Sequence, residues 1–364
     1  MTIIIGSVYH KPADLVVKEG YVGVLAGSSI SKQKSKDGYA LEEKIDEFSG
    51  KVYHDSDGSQ NISQLNRSLN EMTVIYWMWK NYDKLGDPDF VGLCHYRRYF
   101  IFNENLPLPS KTWLPFSHVH CFSTLGDIDD YIDTTQAVEY FNQGFNFLTT
   151  YPYDSRFCDN PGIKSCKEHF YNIYQFDDTL YDRMEQIVLL LHPDYDVEVQ
   201  ELRIKPMHYL FNMFVTSRDI FFSYCDFIFP ILFQLLKDGQ KTDDLFKMRG
   251  PGFISEFLTS MFISHGIRTG KLRVKLLPVA YLENTDIKNA PYTESFSARK
   301  SIELLFRTVI WLLTASHFGD RARIERLKTA LQQKYSQTGS FKHCYKFYNS
   351  LSSVLMRLSF FFKL

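Results

Sequence analysis

Apolar residues follow two different periods along this chain. The opening blocks, "TIIIG" at 2–6 and "YVGVLAG" at 21–27, are unbroken and predict strands covered on both faces. Residues 28–60 are polar and rich in Gly, Ser and Lys, and predict a loop able to order on ligand binding. From Asn61 the period changes. Leu65, Leu69, Met72, Tyr76 and Trp79 recur at spacings of 4, 3, 4 and 3, one face of a helix over 61–82. Asn61 with Gln64 three residues on predicts its capped start. A Gly86-Asp87-Pro88 turn then leads into "FVGLC" at 90–94, a buried strand.

The alternation continues. "NFLTTYPY" (146–153) predicts a strand and residues 164–192 a helical stretch. "MHYLFNMFVTS" (207–217) is apolar on both faces and predicts one central strand. An apolar helix follows at 218–236, interrupted by Pro230. "RGPGFISEF" (249–257) is a Gly-rich turn entering another helix, and "LRVKLLPVAYL" (272–282) predicts a closing strand. Strands alternating with helices predict an α/β domain with a mostly parallel central sheet over residues 1–290. Residues 291–364 predict a helical, basic extension. Its apolar stretches are shorter than a bilayer span and are broken by Arg307 and Arg357.

Composition changes this picture in two places. At 364 residues, 45% hydrophobic and 16% aromatic, the chain can bury a sizeable core. The net charge of −1 hides an asymmetry: from Arg299 onward there are 12 Lys/Arg against 3 Asp/Glu, leaving 29 basic and 39 acidic residues before it. An acidic body argues against nucleic acid as a partner, and the basic tail suits an anionic membrane surface. An amphipathic tail lying on a membrane and a helical subdomain packed on the body are both compatible with its pattern. The six cysteines show no zinc spacing and read as buried small hydrophobes in a reducing cytosol. The amino-terminal "MTIIIGSVYHKP" lacks the regions of a signal peptide, so a cytoplasmic location is expected.

Candidate chemistry begins where the strand at 90–94 ends. His95, Tyr96, Arg97 and Arg98 follow it, and in doubly wound α/β folds ligands sit beyond the carboxyl ends of strands. Two guanidinium forks and an imidazole suit phosphate oxygens; pairing with Asp87 or Asp89 is the plainer alternative. Asp55-Ser56-Asp57 is literally an Asp-x-Asp, the pair that grips a divalent metal in sugar-nucleotide enzymes, but it lies in a polar loop where such runs are usually turns. Arg249 precedes a Gly-Pro-Gly turn, with Glu256 expected in the first turn of the helix as a general base or a dipole-stabilised carboxylate. Asn212, inside the strand predicted at 207–217, must find hydrogen-bond partners or a ligand if buried. His169 and His208 lack metal spacing and read as core or surface residues.

In order, "NIS" at 61–63, "EMTVIYWMWKN" at 71–81 and "GLCHYRR" at 92–98 resemble a bacterial family of capsular and exopolysaccharide-biosynthesis proteins, of the domain of unknown function 4422 type. "HKP" at 10–12, "NMF" at 212–214 and "RGPGFISE" at 249–256 also match family blocks, and the resemblance covers about residues 1–285. One departure stands out: Ser59-Gln60 replaces the family's Gly-Asp before "NIS". The resemblance implies a GT-A-like, nucleotide-sugar-binding fold and a glycosyltransferase of capsule, O-antigen or exopolysaccharide synthesis. UDP-linked hexoses, galactofuranose among them, are the donors it suggests. The basic residues at a place where such folds carry acidic ones imply a metal-free site, with Mn²⁺ or Mg²⁺ on Asp55 and Asp57 as the alternative.

The expected assignments follow from that resemblance. His95, Arg97 and Arg98 would hold the donor diphosphate, and His10, Lys11, Asn61 and Ser63 the nucleotide. Asn212 and Arg249 would contact acceptor or sugar. Glu256 would deprotonate the acceptor hydroxyl if configuration inverts; a retaining enzyme needs no such base. The expected acceptor is a lipid-linked glycan, met at the inner face of the inner membrane through the tail. A phosphotransferase using the same arginines and a non-catalytic nucleotide- or headgroup-binding assembly protein are the rival readings.

Overall fold

The computed structural model describes residues 1–11, 13–32, 52–109, 111, 118–155, 163–174, 178–238 and 247–283. The predicted boundary at 290 and the basic extension lie outside them. Among the described residues the strands are β1 (Ile3–Tyr9), β2 (Tyr21–Leu25), β3 (Val52–His54), β4 (Phe90–His95), β5 (Arg98–Phe100), β6 (Val119–Phe122), β7 (Phe147–Thr150), β8 (Tyr153–Asp154), β9 (Met207–His208), β10 (Phe214–Ser217), β11 (Val274–Leu277) and β12 (Val279–Leu282). The helices are α1 (Asn66–Leu69), α2 (Met72–Lys80), α3 (Thr134–Asn142), α4 (Cys166–Tyr174), α5 (Asp178–Leu191), α6 (Asp196–Ile204), α7 (Arg218–Asp238) and α8 (Gly250–Arg268).

The central sheet runs β11-β7-β10-β4-β1-β2-β3, with β5, β12 and β6 continuing from β4. Pairs β1–β2, β2–β3, β1–β4, β7–β11 and β6–β12 are parallel. In the middle of the sheet β10 runs against both neighbours, β4 and β7. Alternate residues feed two separate cores: Val91, Leu93, Phe147 and Phe214 join the helices α2, α7 and α8 on one face. Cys94, Leu148 and Val215 join Tyr99, Phe100, Val119 and Phe141 on the other. A sheet covered on both faces explains why its strands read as unbroken apolar runs.

Three predicted elements are broken, each by a backbone feature that apolar pattern does not carry. The helix expected over 61–82 becomes a 3₁₀ turn at Ser63–Leu65, then α1, then α2, because Asn70 takes φ 51°. Asn61 Oδ1 accepts the Ser63 N–H at 3.4 Å, at the start of the 3₁₀ turn, and its Nδ2 donates to the carbonyls of Ser56 and Gly58. The apolar stripe still packs on the core, and Trp77 beside it is fully buried with Nε1–H on the carbonyl of Asp57. The strand expected over 207–217 splits into β9 and β10, since Phe211 and Asn212 adopt φ 74° and 48°. Pro278, with no N–H to give a ladder, separates β11 from β12. Within the region predicted as loop, a 3₁₀ turn forms at Ser28–Ile30 and β3 at Val52–His54.

Helix α7 is long and apolar enough to cross a membrane by length and composition. Here Phe221, Tyr224, Ile228, Leu232 and Leu235 pack it into the protein core, and Pro230 sits within it without ending it. The described cysteines, Cys94, Cys121, Cys166 and Cys225, are buried free thiols.

Two close fits fix the sheet and the segment beside it. Gly92 on β4 lies so near β10 that a Cβ there would come within 2.6 Å of the Phe214 carbonyl oxygen. Asp55, fully buried after β3, accepts from the N–H groups of Gly27 and Ser28 and from the hydroxyls of Ser28, Ser63 and Thr73. It thereby ties the ends of β2 and β3 to the start of α2. Gly92→Ala should therefore destabilise the fold by about 1–3 kcal/mol in denaturant melts, as overpacking against backbone does. Asp55→Ala should cost roughly 3 kcal/mol or more by the same measurement, because it strands buried donors.

Candidate active site

The parallel strands β1 and β4 end side by side, with Val8 opposite His95. Because β10 is antiparallel to β4, its first residues sit beside that same end, Phe214 opposite Leu93. The residues just before β10, Phe211 and Asn212, therefore meet the residues just after β1 and β4. Strand β12 closes the other side, with Tyr281 opposite Arg98. Glu71 at the start of α2 and Glu256 in the second turn of α8 complete the ring. Glu256 lies one turn deeper than expected, beyond the first-turn dipole effect.

Positive charge is concentrated here. Tyr96 and Arg97 form the turn between β4 and β5, with His95 paired to Arg98. The Arg97 guanidinium lies 5.6 Å from the Tyr96 ring and 5.3 Å from that of Tyr281. The Arg98 guanidinium lies 4.5 Å from the Phe211 ring, at cation–π distance. Lys11 Nζ is 5.6 Å from the Tyr96 ring, and His10 meets the same ring edge-on at 5.0 Å. Burial, then the charge of Arg97, lowers the Arg98 guanidinium from its usual value to about 10. His10 is exposed to solvent on one side. Partial desolvation by the residues packed beside it, then the charges of Lys11, His95, Arg249 and Arg97, lower its proton affinity. An arriving anion would relieve this electrostatic cost.

His95 is shaped differently from the arginines. Its Nε2 lies 2.7 Å from the carbonyl of Phe211, and burial lowers its proton affinity, against the pull of Glu71. In the neutral ring Nε2–H donates to that carbonyl, and Nδ1 is left as an acceptor. The imidazole thus anchors the Phe211 backbone, and only a protonated ring could also donate to an anion. On the far side of Phe211 the N–H donates to Glu256 Oε1 at 2.9 Å. Burial, then Glu71, raises the Glu256 carboxyl to about 8, with the Phe211 N–H, Arg98 and Arg249 pulling the other way. Arg249 itself is held by Asn70 Oδ1 through Nε at 2.8 Å, at the break between α1 and α2.

The structure thus brings together His10, Lys11, His95, Arg97, Arg98, Asn212, Arg249 and Glu256. Asn61 and Ser63 belong instead to the loop around Asp55, where Ser63 Oγ donates to Asp55 and Asn61 holds two backbone carbonyls. Glu71, Phe211 and Tyr281 were not singled out by sequence reasoning. Glu71 carried a signal, as the first residue of the "EMTVIYWMWKN" block.

A GT-A fold raises the question of a divalent ion on Asp55 and Asp57. The donors do not fit one: both Asp55 oxygens are taken by hydrogen bonds, and Asp57 Oδ2 accepts the His54 N–H in a turn. Among the described residues no group of three His, Cys, Asp or Glu side chains is arranged to hold a metal.

Comparison with solved structures places the fold. The apo structure of WbbM, described as a bifunctional glycosyltransferase, superposes with a TM-score of 0.66 at 23% identity, covering 82% of this chain and 48% of WbbM. The chain thus spans about half the length of that protein. Core-mannan synthase A from Aspergillus fumigatus, in an Mn/GDP form, matches at a TM-score of only 0.32 and 11% identity, over 83% of this chain and 82% of its own. No curated protein matches the chain. The model of a domain of unknown function, DUF4422, matches residues 3–267, and the chain belongs to that family.

Proposed function

We propose that this protein is a glycosyltransferase that moves a sugar from a nucleotide-diphosphate donor to a lipid-linked glycan. The observation that carries the reading is the pairing of opposites at one strand end. Burial and the neighbouring Arg97 make the Arg98 charge costly, and Glu256, within electrostatic reach of Arg98, has its proton affinity raised to about 8. The WbbM-like fold is compatible with it.

In this reading the diphosphate lies against Arg97 and Arg98, with Lys11 at the rim. The bond between the anomeric carbon and the phosphate oxygen breaks, and the electron pair stays on the diphosphate, where fixed cations meet the growing charge. The acceptor hydroxyl forms the new bond, and its proton passes to the ionised Glu256 carboxylate, a single displacement with inversion. The cations take the place that a divalent ion has in other sugar-nucleotide sites, so the reaction runs without one. The basic tail holds the enzyme at an anionic inner-membrane surface, and the last described strand leads to the site's rim, where the Leu282 N–H meets the Arg97 carbonyl at 3.0 Å.

Incubation with a panel of nucleotide sugars, with and without EDTA, should release nucleoside diphosphate slowly from one donor regardless of chelator. Arg98→Ala should lower that rate about 10²–10³-fold. A metal requirement with phosphate left on the acceptor would identify a phosphotransferase instead, and binding without turnover an assembly protein. Glu256 also makes a stability prediction. Its folded-state value near 8 exceeds the ordinary 4.5, so the native state holds a proton that the unfolded chain releases as pH rises between those values. Stability contributed by that proton is fully present below about pH 4.5 and lost as pH rises through about 8. Glu256→Gln should therefore melt higher than wild type at about pH 9, the difference vanishing near pH 4.5, and should lose the rise in rate through about pH 8.

A further inference from the structure

One ring lies against both site arginines. The guanidinium carbon of Arg97 is 5.3 Å from the centre of the Tyr281 ring and that of Arg98 is 5.9 Å from it, both at cation–π distance. Neighbouring residues of a strand point to opposite faces, so consecutive arginines ordinarily part company. Here Arg97 lies in the turn after β4 and Arg98 opens β5. The turn brings both guanidiniums round to the same ring.

The backbone sets that ring in place. Tyr281 on β12 pairs with Arg98 on β5, and Arg98 pairs with His95 on β4. Residues directly opposite in antiparallel pairs share a face, so His95, Arg98 and Tyr281 form one row across three strands. The next residue, Leu282, gives its N–H to the Arg97 carbonyl at 3.0 Å, so the strand that carries the ring also pins the turn. On its other edge β12 pairs with β6, Tyr281 opposite Cys121. The ring is half-buried against the core that contains Phe100 and Val119, where Ala280 and Leu282 are fully packed. Each guanidinium also meets a second ring, Tyr96 for Arg97 at 5.6 Å and Phe211 for Arg98 at 4.5 Å. Tyr281 is common to both.

Like charges held side by side repel, and the Arg97 charge makes that of Arg98 costlier. A carboxylate between them would relieve the repulsion but occupy their N–H groups. An aromatic face attracts a guanidinium through its quadrupole and leaves the planar N–H edge to a ligand. We propose that Tyr281 is a positioning residue of the diphosphate site, its ring holding the two guanidiniums as a pair so that both meet one diphosphate. The proposal rests on the reading of Arg97 and Arg98 as the diphosphate grip. It adds a specificity to that reading. A pair set in place before the ligand arrives lowers the ordering cost of binding, and only a ligand with two adjacent phosphates meets both forks.

Inorganic pyrophosphate and phosphate, titrated by calorimetry into the full chain with EDTA present, carry the recognised group without a base. Tyr281→Leu keeps an apolar side chain and removes the π face. It should weaken pyrophosphate about tenfold and phosphate about threefold, as the loss of two cation–π contacts against one implies. Tyr281→Phe should bind as wild type does. Fluorines added to the phenylalanine ring at this position withdraw electron density from its face with little change in size. Pyrophosphate affinity should therefore fall step by step along the fluorinated series. These near-isosteric rings decide the point should Tyr281→Leu fail to fold. A wild-type preference for pyrophosphate with equal losses of both anions in Tyr281→Leu, or with affinity flat across the fluorinated rings, would overturn the role of Tyr281 and leave the diphosphate grip standing. Pyrophosphate bound no tighter than phosphate by wild type, and unaffected by Arg97→Ala and Arg98→Ala, would remove both.

Discussion

The site depends on one residue in an unfavourable backbone conformation. Phe211 gives its carbonyl to His95, its N–H to Glu256 and its ring to Arg98. A β-conformation at Phe211 would turn those groups apart and carry β9 straight into β10. The constraint traces back to topology. One antiparallel strand, β10, sits in the middle of a mostly parallel sheet, so its entry point coincides with the exits of β1 and β4. A left-handed corner lets the chain arrive there and still present two backbone polar groups to neighbouring side chains.

Around this corner charge is arranged rather than cancelled. Two arginines, a lysine and two imidazoles surround the ends of β1 and β4, and burial makes the Arg98 charge costly. The carboxylates that could neutralise them are tied to the corner, and Glu256 holds its proton to about pH 8. Such a concentration of positive charge favours an incoming polyanion. Asp55 has the opposite character: its charge is consumed by five hydrogen bonds and serves the fold.

Much of this was legible in the sequence. The unbroken apolar runs gave β1, β2 and β4, and with them the placement of His95 at the end of β4 and of Arg97 and Arg98 just beyond it. The Asp-x-Asp was read as part of a polar loop, but it directly follows β3, and Asp57 closes a turn there by accepting the His54 N–H. Positive φ angles were illegible. Asn70, Phe211 and Asn212 look like ordinary members of periodic segments, and each breaks one. Phe211 in particular carries a residue type that argues against a left-handed backbone, so only the three-dimensional partners reveal it. Asn61 and Ser63 sit in the turn around Asp55 rather than at the start of one long helix, because that helix is broken at Asn70. Glu71 was not singled out because it lies inside the helix expected over 61–82, and its hydrogen bond comes from Asn212, 141 residues away.

The central claim is that fixed cations at the end of β4 form a diphosphate site that needs no divalent ion. Calorimetric titration of the full chain with a nucleoside diphosphate in the presence of EDTA measures it most directly. One site per chain should bind, weakened at least tenfold in Arg97→Ala and Arg98→Ala, as the loss of a charge-assisted hydrogen bond of about 1.5–3 kcal/mol implies. Binding that appears only when Mn²⁺ or Mg²⁺ is restored, and that both variants retain, would contradict the account.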